Sequence, residues 1–289
     1  MFDVYSGMLR MLDDFRDDGA DYAMEYQLAD PTNLCETYNL HKIAGAGNDF
    51  SRAKNLLQWI SQNIFHYRGY RNQVENIAIK LFEYSFGKGE ESGLNCRSLS
   101  LALTECLLAI GIKARTVYIL PFSPYDNDNH VVCEAWISEM GKWVMFDPTY
   151  NLHVSSNGIC LNALEFRNIL ANRGDVSFSD GANYNNDSLE KDEILDYYAK
   201  NLFRFMVLRV QGSNTEELAK NENIDIAPIG YDVKRWTLGY LDYQAMQFEG
   251  DETAEERAER LKKVEEDKTA YSEQSKVFYK GVEFLYDAG

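Results

Sequence analysis

Apolar residues recur at spacings of three and four in two segments of the first half of the chain, and both segments predict amphipathic helices. The first segment follows Asp49, the expected N-cap residue, and its apolar positions are Phe50, Ala53, Leu57, Ile60 and Ile64. The second segment runs from Cys96 to Ile110, and its apolar positions are Leu99, Ala102, Leu103, Cys106 and Ile110. Gly111 then supplies a helix stop.

Three later segments are rich in Val, Ile, Tyr and Trp and predict β-strands. They are Ile112–Leu120, His130–Ile137 and Trp143–Phe146. The short connection between the second and third segments predicts an antiparallel hairpin. With a four-residue loop at 138–141, Ile137 pairs with Lys142, and Asp147 then lies diagonal to His130 on the same face. A slip of one residue would place the two side chains on opposite faces.

The remaining predicted elements lie mostly in the second half of the chain. We expect helices over 76–84, 163–171 and 189–201, and strands over 203–210, 224–231 and 236–243. Thr253-x-x-Glu256 is a capping box and opens a charged helix toward Lys276, whose sparse apolar positions predict a solvated surface helix.

Composition and charge narrow the possible functions. The 289 residues are 45% hydrophobic and 13% aromatic, which supplies a core and excludes wholesale disorder. The net charge of −17 would repel nucleic-acid phosphates and anionic lipid surfaces, so we expect neither as a partner. No run of 18 apolar residues predicts a membrane span. The N-terminal segment lacks the pattern of a secretory signal, so a cytoplasmic location is expected.

The five cysteines are widely spaced, and no CxxC pair occurs among them. A zinc knuckle is therefore not encoded locally, although Cys96 and His130 could bind zinc together with further ligands. Reduced thiols fit a cytoplasmic chain better than a disulfide framework does. We expect Cys106 and Cys133 to be packing residues, because each lies on an apolar face.

Cys96 is the candidate nucleophile because it begins a predicted helix. The N-terminal end of a helix favours an anion, Arg97 adds a cation next to it, and Gly93 lets the backbone turn into the helix. Among the four histidines, His130 is the best-placed base, and Asp147 can orient it across the hairpin. Glu134 shares a face with His130, where it could line the cleft, but we expect it to face solvent.

Three segments together resemble the transglutaminase-like superfamily. Gly93-Leu-Asn-Cys-Arg-Ser-Leu-Ser resembles its nucleophile segment, Asn129-His-Val-Val-Cys-Glu-Ala-Trp its histidine strand, and Lys142-Trp-Val-Met-Phe-Asp-Pro-Thr its aspartate strand. Each short motif is unspecific alone, but their order is specific. The clear resemblance covers residues 40–155, and a looser one continues through Tyr197-Tyr-Ala-Lys-Asn-Leu-Phe-Arg.

The resemblance implies a papain-like α+β fold in which the nucleophile helix packs on an antiparallel sheet, followed by a C-terminal α/β extension. It implies a catalytic domain over 1–212 with a helical N-terminal part, and an extension over 213–289. It makes Cys96 the nucleophile, His130 the general base and acid, and Asp147 the orienting carboxylate. Members include cross-linking transamidases, deamidases, proteases and glycoprotein deglycosylases, and several have lost catalysis.

An oxyanion hole needs two donors, and the second one has several candidates. The Cys96 N–H can be the first donor. Trp59 is a candidate for the second, with helix packing as its alternative role, and Tyr38 and Gln58 are further candidates. Asn95 and Asn129 flank the triad positions and could contact substrate, although turn chemistry accounts for them equally well.

Two functions from different classes remain open. The first is acyl transfer or hydrolysis on peptide or protein amides through a cysteine thioester, closer to a protease or amidase than to a cross-linker. The second is a catalytically silent module that binds a peptide or protein in the cleft. We favour hydrolysis without metal or organic cofactor, and the net charge favours neutral or basic peptide substrates. The sequence leaves the oligomeric state open.

Overall fold

The computed structural model describes residues 1–19, 23–28, 30–126, 128–212, 223–247, 252–274 and 277–287. Its α-helices, numbered α1 to α10, are Phe2–Met11, Pro31–Tyr38, Leu40–Ala44, Asp49–Asn63, Ala78–Ser85, Cys96–Ala109, Ala163–Ala171, Lys191–Asn201, Val233–Met246 and Ala254–Gln274. Its strands, numbered β1 to β11, are Glu25–Gln27, Ala114–Leu120, His130–Ile137, Lys142–Phe146, Val154–Ser156, Ile159–Cys160, Ser177–Phe178, Arg204–Leu208, Val210–Gly212, Asn223–Ile226 and Phe278–Tyr279. Short 3₁₀-helices cover Glu90–Ser92 and Val282–Leu285.

A six-stranded sheet in the order β11-β10-β8-β2-β3-β4 forms the centre of this mixed α/β structure. All neighbouring strands are antiparallel except β10 and β11, which are parallel. Ile137 pairs with Lys142 in the β3–β4 hairpin, which confirms the register predicted from the four-residue loop. Smaller sheets pair β1 with β9 and join β6, β5 and β7.

Helix α6 packs against β2 and β3 of the central sheet. Its residues Leu99, Ala102 and Leu103 are buried in one apolar core, together with Ala135 of β3. The buried Ser100 hydroxyl donates a 2.8 Å hydrogen bond to the Val131 carbonyl, which ties the helix to the strand that begins at His130. A second apolar core contains Val132 and other residues from α7, α8 and β8.

The C-terminal part of the chain contributes two strands to the central sheet. Strands β10 and β11 lie at one edge of the sheet, and the Leu285 carbonyl accepts a 2.6 Å hydrogen bond from the buried Arg115 guanidinium on β2. The boundary expected after residue 212 lies at the edge of the described residues. Lys276, the expected end of the last helix, lies outside the described residues.

The expectation of a strand over 236–243 is wrong, because this stretch belongs to helix α9. The Asp232 carboxylate caps the helix by accepting a 2.9 Å hydrogen bond from the Arg235 N–H. Trp236 and Tyr240 stack one helical turn apart, with ring centroids 5.4 Å apart. Aromatic content indicated a strand, whereas the cap and this i,i+4 pair favour a helix.

Glu134 does not face solvent as expected, since only 1% of its surface is exposed. One carboxylate oxygen accepts hydrogen bonds of 2.9 and 2.7 Å from Arg115 on the neighbouring strand. The other accepts a 2.8 Å bond from the Ala163 N–H at the start of α7. Glu134 therefore joins the sheet to α7. A smaller correction concerns α4, whose N-cap is Asn48 rather than Asp49.

The capping box at Thr253 and Glu256 is present, and most of α10 is exposed, as predicted. None of the helices in the described ranges combines the length and apolarity that a membrane crossing requires.

Candidate active site

Cys96 is the first residue of α6 and lies partly exposed at the wall of a pocket of about 380 Å³. Asn95 caps the helix through a 2.9 Å hydrogen bond from the Ser98 N–H to its side-chain oxygen. Gly93 allows the preceding turn, because a Cβ there would come within 2.6 Å of the Tyr67 Cβ and 3.0 Å of the Phe65 carbonyl oxygen. The sequence thus presents the thiol at a helix N-terminus, where an anion is stabilised.

His130 and Asp147 are in direct contact at one end of the β3–β4 hairpin. The His130 Nε2 and Asp147 Oδ2 atoms lie 2.5 Å apart, and both side chains are buried. Asp147 also accepts a hydrogen bond from the Tyr198 hydroxyl, and its Oδ1 accepts a 2.8 Å bond from the Thr149 N–H. Because Asp147 takes Nε2, the remaining ring nitrogen of His130, Nδ1, is the one left for the thiol.

The charges of this group of residues favour a thiolate and an imidazolium. Burial would raise the pKa of the Cys96 thiol, but hydrogen bonds to His130 and His66 outweigh it and lower the pKa to about 6. Burial would lower the pKa of His130, but the Asp147 carboxylate, and then Cys96, raise it to about 10. Burial would likewise raise the pKa of Asp147, yet His130 and its other hydrogen-bond donors lower it.

A pH profile of thiol alkylation checks this ion pair. Because the pKa of Cys96 is lowered to about 6, its rate of reaction with iodoacetamide is expected to rise around that pH. At pH 7 most of the Cys96 population is already thiolate, so the rate is expected to be close to its plateau. Quenched time courses with peptide mapping report the rate at each cysteine. A Cys96 profile with its midpoint above pH 8, like an ordinary thiol, would contradict the ion pair.

His66 is a second histidine beside Cys96, and sequence reasoning did not single it out. It lines the same pocket as Cys96 and helps to lower the pKa of that thiol, and its Nδ1 lies 3.0 Å from the Tyr184 hydroxyl. Asn185 holds its backbone, accepting a 2.7 Å bond from the His66 N–H and donating a 3.1 Å bond to its carbonyl. A parallel bridge to Leu94 places it next to the nucleophile segment.

The sequence around His66 contains no motif that indicates a site residue. The residue follows α4 in a short extended stretch, and its partners Tyr184 and Asn185 are more than 100 residues away in the sequence. A histidine a few residues beyond a helix end is consistent with many structural roles. Only the folded chain brings it to Cys96.

The other residues proposed from sequence divide into two groups. Asn95 and Asn129 line the pocket, and the Asn129 carbonyl accepts a 3.3 Å hydrogen bond from the Tyr197 hydroxyl. Trp59 does not line it; its ring packs edge-on against Phe82, with centroids 5.4 Å apart, and also against Tyr38. Packing therefore accounts for Trp59 and Tyr38, and neither is retained as an oxyanion donor.

Gln58, the remaining oxyanion candidate, is exposed on α4 and also does not line the pocket. Aromatic side chains surround the buried imidazole instead. Tyr150, Tyr197 and Tyr198 have ring centroids 5.4 to 6.0 Å from that of His130. Tyr240 of α9 also lines the pocket, so the C-terminal part of the chain borders the site.

The other four cysteines all have pKa values raised by burial, so Cys96 is the one cysteine with a lowered pKa. Cys106 and Cys133 are fully buried, which confirms their expected packing role. Within the described ranges, no three or more His, Cys, Asp and Glu side chains are grouped so that they could hold a metal ion.

Two comparisons with known proteins found similarities to this chain. Residues 37–148 match the family model of the transglutaminase-like superfamily. A crystal structure of a "putative cysteine protease" from Cytophaga hutchinsonii aligns at 21% identity, covering 52% of this chain, with a TM-score of 0.31. The alignment covers 51% of that protein, about half of its length. No curated protein matches the chain.

The family model ends one residue after Asp147 and includes Cys96 and His130. It therefore covers the nucleophile segment and the histidine strand completely, and the aspartate strand through Pro148. The resemblance of this chain to the transglutaminase-like superfamily is confirmed over residues 37–148.

Proposed function

We propose that this protein is a cysteine amidohydrolase that cleaves peptide or protein amides through a thioester on Cys96. The observation that carries the proposal is that Cys96 and His130 line one accessible pocket, with the Asp147 carboxylate 2.5 Å from the His130 ring. The match to a superfamily of thiol enzymes supports it. Helix α6 against the antiparallel strands β2 and β3 also fits a papain-like arrangement.

In the first half-reaction, the Cys96 thiolate attacks the amide carbonyl carbon. The C–N bond then breaks, and His130 gives its proton to the departing amine, because an amine leaves only when protonated. The products of this step are the free amine and the Cys96 thioester. The Asp147 carboxylate stabilises the imidazolium and fixes the ring orientation throughout.

In the second half-reaction, water attacks the thioester. His130, now neutral, takes a proton from that water, and the C–S bond breaks to give a free carboxylic acid and the Cys96 thiolate. His130 is again the imidazolium, so the enzyme returns to its starting state. Atoms balance with water as the acyl acceptor, and an amine would give transamidation instead.

We propose His66 as the second oxyanion donor, beside the Cys96 N–H. If the Tyr184 hydroxyl donates to the His66 Nδ1, the proton of the neutral imidazole lies on Nε2. This N–H is then available to a developing oxyanion next to the thiol. His66 and Cys96 line the same pocket, which supports this assignment.

Replacing His66 with Phe is expected to lower kcat by about 10²–10³ fold, the usual cost of one oxyanion donor. His66→Gln keeps an N–H donor and is expected to recover part of the rate. Steady-state kinetics on a cleaved peptide measure both variants. Equal rates for the Phe and Gln variants would assign His66 a packing role.

A peptide-library digest read by mass spectrometry tests the proposed function. Wild-type protein is compared with Cys96→Ala, each with and without an amine donor. Hydrolysis products from the wild type alone are the expected result. Amine adducts would indicate a transamidase, and identical profiles for the two proteins would favour a silent peptide-binding module.

A further inference from the structure

The pocket at Cys96 is basic, although the chain as a whole is strongly acidic. Three arginines, Arg68, Arg71 and Arg97, line it, and Asp128 is the one carboxylate among its described lining residues. The chain as a whole has 46 acidic and 29 basic residues. Cations therefore concentrate at the position where a substrate would enter.

Two of the three guanidinium groups are held by neighbouring side chains. Arg97 directly follows the nucleophile and donates a 2.7 Å hydrogen bond to the Asn72 side chain. Arg68 pairs with Asp128 at 3.2 Å and is 68% exposed. Asp128 also pairs with Lys200 at 3.6 Å. Lys200 lies nearer to Asp126, at 2.9 Å, so Arg68 is the main partner of Asp128. Among the described lining residues, three arginines thus face this one carboxylate.

The basic surface continues from the pocket into a groove of about 860 Å³ between the segment 67–72 and helices α9 and α10. Arg68 and Arg71 line both spaces. The groove adds Arg260 and Lys263, with Asp267 as the one carboxylate among its described lining residues. Arg260 is neutralised by Glu252, 2.6 Å away, and Asp267 offsets Lys263, so Arg68 and Arg71 are the cations that the groove shares with the pocket.

We propose that Arg68, Arg71 and Arg97 form a carboxylate-binding subsite, so that the preferred substrate carries a carboxylate close to the amide that Cys96 attacks. This inference rests on the proposed function. Guanidinium groups bind carboxylates with paired N–H donors, and a lining of one sign attracts opposite charge over a distance. The local charge thus reverses the preference for neutral or basic peptides expected from the net charge alone.

The relative rates of Cys96 alkylation by iodoacetate and iodoacetamide test the subsite without any need for turnover. The thiolate displaces iodide from both reagents in the same substitution. Iodoacetate carries a carboxylate where iodoacetamide carries a neutral amide. Their rate ratio therefore cancels changes in the Cys96 pKa. A short neutral cysteine peptide in the same buffer gives the reference ratio.

The wild-type ratio of iodoacetate to iodoacetamide is expected to exceed the reference and to fall as salt rises. The triple variant Arg68→Gln/Arg71→Gln/Arg97→Gln is expected to lower it about tenfold. Lys80→Gln removes one exposed cation outside both linings and is the matched control, with no change expected. A wild-type ratio at or below the reference, or one that the triple variant leaves unchanged, would overturn the subsite.

The two proposals can fail separately. Reaction of Cys96 with neither reagent would contradict the nucleophile assignment, whereas rapid reaction with an unaltered ratio would contradict the subsite alone. A C-terminally amidated peptide library then distinguishes the two sources of the carboxylate. Enrichment of Asp and Glu near the cleaved bond would identify an acidic side chain as the source. Loss of cleavage when the peptides are amidated would identify the C-terminal carboxylate as the source.

Discussion

Replacement of Asp147 with Asn is expected to lower kcat, and with it kcat/KM, by up to about 10⁴ fold, the cost in kcat when the carboxylate of a Ser-His-Asp triad becomes an amide. Asp147 is the main group that raises the pKa of the buried His130. Without that charge, burial favours a neutral imidazole, and Cys96 loses the cation that helps to lower its own pKa. The thiolate population at pH 7 falls accordingly.

Two measurements separate this effect from simple unfolding. Circular dichroism of Asp147→Asn should match that of the wild type, and the alkylation profile of Cys96 should move to higher pH. Asp175→Asn, at an exposed carboxylate between α7 and β7, is the matched control and should leave both kinetics and profile unchanged. A folded Asp147→Asn protein with near wild-type kcat/KM would show that the carboxylate has no part in the reaction.

Replacement of Glu134 with Gln is expected to lower the free energy of unfolding by about 3–5 kcal/mol, because it leaves a buried cation without its partner. Arg115 and Glu134 are each 1% exposed and lie 2.7 Å apart. The Arg115 guanidinium also lies 4.1 Å from the centroid of the Trp143 ring, so it cannot move readily toward water.

Urea unfolding followed by tryptophan fluorescence measures the effect on Glu134→Gln. The control is Glu83→Gln, which removes one carboxylate of an exposed pair with Lys80. Exposed pairs contribute at most about 1 kcal/mol. A Glu134 variant as stable as this control would show that the buried pair is not a structural requirement.

The three residues of the proposed triad could be predicted from the sequence because each of them follows from a local rule. Cys96 begins a helix, and a four-residue loop sets the register that brings His130 and Asp147 to one face. Loop length, period and capping are all readable over a few residues. The α+β character and most of the elements around the site follow from the same rules.

His66 and Glu134 could not be predicted because their partners are distant in sequence. His66 is held by a loop 119 residues further along the chain. Glu134 lies among buried residues on β3, but an acidic residue on a strand normally indicates a position that faces solvent. Its actual partner lies on the neighbouring strand, and the contact with α7 depends on how that helix packs.

The basic lining of the pocket was missed for a different reason. A net charge describes the whole surface, whereas Arg68, Arg71 and Arg97 come from two segments that only the fold brings to one pocket. Clusters of like charge against the overall balance are visible only in three dimensions. Net charge is therefore a poor guide to the substrate of a concave site.

The central claim is that Cys96 is the nucleophile of amide hydrolysis. Measuring the remaining hydrolytic activity as Cys96 is progressively alkylated tests this claim most directly. Iodoacetamide is added in increments near pH 7 to enzyme that cleaves a library peptide, and each sample is divided between an activity assay and peptide mapping. The account predicts that activity falls in proportion to the alkylated fraction of Cys96 and reaches zero when that fraction reaches one. Hydrolysis that persists with Cys96 fully alkylated would contradict it.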